Sequence, residues 1–390
     1  MNPPATAVAN PPPPVITVPQ ADPGAGYRAR KAEIDAAVAR ALASGWYILG
    51  EEGRAFEREF AAWLDPSGAQ RAVGCANGTD AIVLILRGLG IGPGSTVATV
   101  SHTAVATVAA IEMVGATPLL LDIDPDTYTM DADELAAVLD DPPPGLPPIR
   151  AAVAVHLYGQ ACDLRPMLEA CRAAGVALIE DCAQAHGAAL DGRRLGTFGV
   201  AAAFSLYPTK NLGALGDGGV VTTADADLAE RMAAIRQYGW RERYVSDGPG
   251  INSRLDEVQA AVLRARLPFL DAGNARRREI AGAYDAALAG GTLAAPVCRE
   301  GATHVFHQYV LRAPGREALQ ARLRQAGIGT AVHYPVPVHA QPAYRGRVAL
   351  GPAGCRETEL AAREVLSLPM FPELTAAQVA TVCAALEELG

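Results

Sequence analysis

Between about Arg71 and Thr223, short apolar, β-branched runs recur at intervals filled by helical patterns, and this alternation constrains the fold more than any other feature. Segments such as Ala81–Gly90 and Leu164–Ala174 carry amphipathic helical spacing between the runs. Strand, helix, strand in succession predicts parallel pairing, because parallel neighbours need a crossover long enough to hold a helix. Strands are expected over Arg71–Ala76, Thr96–Val100, Thr117–Ile123, Ala151–His156, Val176–Asp181, Ala201–Leu206 and Gly219–Thr223. The fold class is therefore α/β, a mostly parallel seven-stranded sheet with helices on both faces.

Beyond Arg254 the pattern changes to a long helix from Leu255 to about Leu288, interrupted near Pro268, then a mixed segment including Phe306–Arg312 and a last helix from Ala376. We read this as a smaller C-terminal α+β domain, 251–390, following a large domain, 21–250. Residues 1–20 are rich in proline and read as a flexible leader, without the charged start and apolar run of a signal peptide. No apolar span is long enough for a membrane. The formal net charge of −9 argues against a nucleic-acid or anionic-membrane surface. Seven scattered cysteines suggest neither a disulfide framework nor a zinc site, and point to a reducing cytoplasm.

In such sheets ligands sit beyond the carboxyl ends of the strands. Asn77-Gly78-Thr79, His102, Asp181 and the loop Ser205–Lys210 all fall there. Of the 33 lysines and arginines only Lys31 and Lys210 are lysine, so an amine that can lose its proton stands out at Lys210. Its loop, rich in hydroxyls and glycines, suits a phosphorylated aldehyde, with Ser205 as a hydroxyl donor; a surface turn with a solvated lysine is the plainer reading. Asp181 ends an apolar run and is placed to keep a pyridinium nitrogen protonated, though a helix cap is the commoner use of such an aspartate. Asn77-Gly78-Thr79-Asp80 opens a helix whose free N–H groups attract phosphate. His333 and His339, separated by two prolines, cannot share a helical face, and no metal is expected.

The motifs Ser44-Gly-Trp-Tyr-Ile-Leu-Gly50, Ala76-Asn-Gly-Thr-Asp-Ala81, His156-Leu-Tyr-Gly159, Glu180-Asp-Cys-Ala-Gln-Ala-His-Gly187, Phe204–Asn211, Gly250-Ile-Asn-Ser-Arg-Leu-Asp256, His333-Tyr-Pro335 and Gln341-Pro-Ala-Tyr344 occur in order over most of the chain. Together they resemble the DegT-type (DegT/DnrJ/StrS) nucleotide-sugar aminotransferases of the type I pyridoxal-phosphate fold. The resemblance implies that Lys210 carries pyridoxal 5'-phosphate covalently, Asp181 pairs with the ring nitrogen and Gln184 lies by the ring hydroxyl. Ser205, Gly78 and Thr79 would bind the phosphate. Asn252 would reach the cofactor phosphate of a neighbouring subunit, which implies a homodimer with shared sites. His102 is a candidate for the flat ring beside the cofactor, because Ala104 stands where many relatives carry an aromatic residue. Tyr207, Arg254, His333, Tyr334 and His339 are candidates for substrate contact.

The implied reaction moves an amino group from an amino acid, with glutamate suggested, to a nucleotide-linked keto-deoxyhexose by way of pyridoxamine phosphate. The segments Ser44–Gly50 and Phe306–Arg312 resemble enzymes acting on 3-keto-6-deoxyhexoses; a 4-keto-sugar or a cyclitol ketone stays open. Lysine at 210 favours amination over the dehydration carried out by relatives with histidine there. A non-catalytic regulatory protein of the same fold is a competing reading. A dinucleotide-binding dehydrogenase is disfavoured because Ala76-Asn-Gly-Thr follows the first strand in place of Gly-x-Gly-x-x-Gly.

Overall fold

The computed structural model describes residues 15–389. Seven strands form where the apolar runs stand: β1 Arg71–Cys75, β2 Thr96–Val100, β3 Thr117–Leu121, β4 Ile149–Val155, β5 Ala177–Asp181, β6 Ala201–Ser205 and β7 Gly219–Thr223. Short strand pairs occupy the connections, and of the strands later in the chain three bear on the architecture, β8 Tyr309–Arg312, β9 Ala349–Leu350 and β10 Val365–Leu368. The main sheet has the order β1-β7-β6-β5-β4-β2-β3-β9. It is parallel from β6 to β9, while β7 runs antiparallel to both β6 and β1. The sheet thus has eight strands where seven were expected, because Ala349-Leu350 is too short to carry a strand pattern and becomes one only by pairing with Leu119 and Leu120.

The strands are buried on both faces, and alternation along β4 divides its side chains between two cores. Ala151 and Val153 join one cluster with Ile82, Ile85 and Ile111, while Ala152 and Ala154 join the other with Phe56, Phe60 and Leu164. Phe60 meets Phe204 edge-on at 5.1 Å between ring centroids, and both are fully buried. Truncating either to Ala costs about 3–5 kcal/mol through lost contacts and the cavity left behind.

The long C-terminal helix is broken as read, into Glu257–Arg266, a turn of 3-10 helix at Leu267–Phe269 carrying Pro268, and Leu270–Leu288. Pro268 lacks the N–H that a continuous helix would need. Leu255, Ala260 and Leu263, though assigned by sequence to the smaller domain, pack into the core of the large sheet. A separate core gathers Tyr284, Tyr309, Leu366 and Leu386 around the β8–β10 pair.

Of the leader expected over 1–20, residues 1–14 lie outside the described residues. Val18 is buried in the C-terminal core and bridges Ile328, a contact that proline content does not encode. Asp122, just past β3, accepts hydrogen bonds from Glu357 N and Thr358 N at 2.8 Å each and so anchors the start of helix Arg356–Glu364. Among the described residues no helix is long and apolar enough to cross a membrane.

Candidate active site

The carboxyl ends of β1, β2, β5 and β6 deliver Asn77, His102, Asp181 and Ser205 to one edge of the sheet. Asn77 caps helix Gly78–Gly88, its Oδ1 accepting from Asp80 N at 2.8 Å. Gly78 and Thr79 occupy the first turn of that helix, where the N–H groups lack intrahelical partners and the dipole favours an anion. A Cβ on Gly78 would stand 2.7 Å from Ser205 Cβ, so glycine lets the helix start close against the Ser205 loop. A Cβ on Gly219 would stand 2.3 Å from Asn77 O, which fixes the same edge from the β7 side.

Asp181 is buried. Its Oδ2 accepts from Thr107 Oγ1 at 2.9 Å and its Oδ1 from Ala183 N at 3.1 Å. Burial pushes its carboxyl up from the usual range, and those two bonds and the charge of Lys210 oppose the shift. Lys210 is half-buried at the end of its loop. Desolvation lowers its amine to about 8, with the charge of Asp181 acting the other way. An amine near neutrality beside a buried carboxylate can act as nucleophile and as acid–base group.

Four of the expected residues are joined through one that the sequence motif contained without a role, Tyr158. Its hydroxyl donates to His333 O and accepts from His102 Nε2 at 2.9 Å; since the hydroxyl proton is committed to the carbonyl, Nε2 of His102 carries a proton. Tyr158 N donates to Gln184 Oε1 at 2.7 Å, and Gln184 Nε2 donates to Tyr334 Oη at 3.1 Å. Burial lowers His102 to about 4, so it stays neutral, with Nδ1 buried and without a hydrogen-bond partner among the described residues. Its ring meets Tyr158 edge-on at 6.1 Å. His333 Nδ1 is 2.8 Å from Ser367 Oγ.

The remaining candidates are spread more widely. Tyr207 and Asn252 are exposed on this chain and Arg254 is half-buried. His339 is held by Ser101 Oγ at 2.7 Å and faces Glu359 at 3.3 Å. Sequence reading also missed Thr107, a buried hydroxyl in helix Val105–Met113, and Asn211, whose Nδ2 donates to Asn274 Oδ1 and Val305 O beside Lys210. His156, Glu180 and Cys182 cluster closely, but Glu180 is saturated by His156 and the amides of Gly196, Phe198 and Gly199, which makes the cluster a structural knot.

The residues present fit pyridoxal phosphate: an amine able to deprotonate, a buried carboxylate with its own donors, and an anion cradle closed by a required glycine. An α/β sheet carrying this arrangement beyond its strand ends is that of a pyridoxal-phosphate enzyme. Residues 28–387 match the DegT/DnrJ/EryC1/StrS aminotransferase family, and the chain belongs to it. It is 44% identical to the dTDP-3-amino-3,4,6-trideoxy-alpha-D-glucose transaminase of Streptomyces venezuelae, over 95% of this chain and 96% of that one. It is similar to the structure of S. venezuelae DesV in complex with a ketimine intermediate, with a TM-score of 0.89, 44% identity, and coverage of 97% of this chain and 99% of DesV. NtdA of Bacillus subtilis with bound cofactor PMP aligns at a TM-score of 0.86 and 25% identity, covering 96% of this chain and 85% of NtdA.

Proposed function

We propose that the chain transfers an amino group from glutamate to a nucleotide-linked keto-deoxyhexose, a dTDP-linked 3-keto-6-deoxyhexose, giving an amino-sugar for natural-product or surface-glycan biosynthesis. The observation that carries the chemistry is the pairing of a Lys210 amine near neutrality with a buried Asp181. The likeness to a transaminase named for a dTDP-3-amino sugar supports the substrate class.

Pyridoxal phosphate, when bound, supplies an aldehyde that links to amines and a ring that draws electrons from the adjacent carbon. Lys210 would hold it covalently, Gly78, Thr79 and Ser205 would hold its phosphate, Asp181 its ring nitrogen and Gln184 its ring hydroxyl, with His102 beside the ring. Released from that link, Lys210 Nζ takes the proton from the donor's α-carbon and, in the second half of the cycle, returns one to the sugar carbon that receives nitrogen. Asp181 stays ionised because a cationic ring nitrogen opposes the upward pull of burial. Tyr207, Arg254, His333, Tyr334 and His339 are the contacts proposed for substrate. Asn252, exposed on this chain, is proposed to complete a second chain's phosphate cradle, which would make the functional unit a homodimer.

The test is an absorbance spectrum of the purified protein with and without glutamate, followed by incubation with dTDP-linked 3-keto and 4-keto sugars. A band near roughly 410–430 nm moving toward roughly 330 nm with glutamate establishes the first half of the cycle. Formation of a 3-amino sugar establishes the second, and turnover of the 4-keto sugar alone would move the assignment by one carbon.

A further inference from the structure

Tyr158 is 3% exposed and holds its backbone at φ 61° and ψ −2°, in the left-handed region that a residue with a Cβ rarely occupies. Such a residue persists where its surroundings over-determine it. Here Gln308 N donates to Tyr158 O at 3.4 Å and Val305 N donates to Gly159 O at 3.2 Å. A Cβ on Gly159 would stand 2.8 Å from Val305 Cγ2, so the segment 305–308 clamps the turn closely. The Tyr158 ring is thereby held in the interior, where it meets Tyr128 edge-on at 5.8 Å.

The Tyr158 hydroxyl donates to His333 O, and the residues on either side of that peptide bond both carry uncommitted hydrogen-bonding groups. His333 Nδ1 is engaged by Ser367 Oγ, which leaves Nε2 without a hydrogen bond among the described residues. Tyr334 Oη accepts from Gln184 Nε2, and its own proton has no acceptor among the described residues. Burial lowers His333 to about 4 and raises Tyr334 to about 12, so both are neutral near pH 7. A neutral imidazole and a neutral phenol match the hydroxyls of a sugar, whereas the carboxylates of an amino-acid donor are held best by cations.

We infer that Tyr158 is a positioning residue for the sugar half of the reaction: its hydroxyl pins the His333–Tyr334 peptide so that this pair meets the keto-sugar, while its main-chain N–H holds Gln184 whatever the side chain. The inference rests on the proposed role of His333 and Tyr334 as substrate contacts and adds to it the residue that sets them in place.

The experiment compares the wild-type holoenzyme with Tyr158→Phe, which keeps the ring and the main-chain N–H and removes only the hydroxyl, with circular dichroism to confirm folding. Stopped-flow absorbance reads the two halves of the cycle separately, the pyridoxal form with glutamate and the pyridoxamine form with the dTDP-linked 3-keto or 4-keto sugar that the wild type aminates. Hydrogen exchange read by mass spectrometry follows residues 331–336. Tyr158→Phe should raise the half-saturating concentration of keto-sugar about tenfold, the scale of one lost hydrogen bond, and speed exchange at 331–336, with the glutamate half-reaction within about threefold of wild type. A purely structural role would slow both halves alike, and that result overturns the inference, as does an unchanged sugar half-reaction or unchanged exchange at 331–336. If Tyr158→Phe does not fold, Tyr158→Asn, whose side chain suits the left-handed backbone, is read by the same criteria. Failure of the wild type to aminate any keto-sugar, alongside faster exchange at 331–336 in the variant, would instead remove the substrate reading and leave the pin in place.

Discussion

Thr107 Oγ1 donates to Asp181 Oδ2 at 2.9 Å, so a helix that contributes nothing else polar to the site positions its buried carboxylate. Thr107→Val keeps the shape and removes the donor. We expect transamination to slow about tenfold, equivalent to about 1.4 kcal/mol at the low end for a hydrogen bond to a charged group, with Thr107→Ser restoring it. Stopped-flow measurement of the glutamate half-reaction checks this, and a Val variant as fast as wild type would show that Asp181 is aimed by Ala183 N alone.

Asp181→Asn should keep the fold and the cofactor and slow the same half-reaction by about a hundredfold or more, the scale of a lost preorganised charge in a buried site. A rate within a factor of about three of wild type would remove Asp181 from its assigned role.

Lys210→Ala and Lys210→Arg should both abolish turnover, because neither offers an amine that can lose its proton. In cofactor-free protein the amine has shifted from its ordinary 10.5 to about 8. Cofactor capture should therefore accelerate with pH and level off above about 8. Between about 8 and 10.5 the unfolded chain holds a proton that the folded chain has released, so stability relative to Lys210→Met rises across that window. Thermal melts of both proteins at pH 7.5 and about 9.5 test the sign; a gap that widens against the wild type would contradict the shift.

Gly78→Ala brings a methyl to within 2.7 Å of Ser205 Cβ and must push the helix start away from its partner loop. The expected outcome is at least tenfold weaker affinity for pyridoxal phosphate, roughly 1.4 kcal/mol, with little change in the melting temperature of the cofactor-free protein. Fluorescence titration of the cofactor reads it directly, and unaltered affinity would move the phosphate elsewhere.

Acid should unfold this protein through its buried histidines. Burial lowers His102 and His333 to about 4 and His186 and His304 to about 3, against an ordinary 6.5. Their folded values lie below the unfolded one, so the stability they contribute is complete above about 6.5 and is lost as pH falls toward 3–4. Melting temperature should fall steadily from pH 7 to 4, and His102→Gln should flatten part of that slope. A flat profile would mean that these rings find proton acceptors.

The sheet was legible because its strands are buried on both faces and each apolar run is bounded by turn residues; five of the seven expected runs overshot or undershot by a residue or two at an end, and two matched. Ala349-Leu350 was invisible because a pair of residues has no period, and Val18 because its partner Ile328 lies far along the chain. Lys210, Asp181 and Gly78 could be chosen because each sits at a strand end where chemistry is expected. Thr107 and Tyr158 could not: a buried hydroxyl and a tyrosine in a tight turn acquire meaning only from what the fold places beside them.

The short β9 strand, together with the grip of Asp122 on helix Arg356–Glu364, stitches the C-terminal third of the chain onto the outer edge of the large sheet. A swing of that third as a rigid flap would have to unzip both attachments at once. Traffic of donor, sugar and product is thereby left to side chains and loops at the pocket mouth, in the manner of a room with fixed walls and small doors.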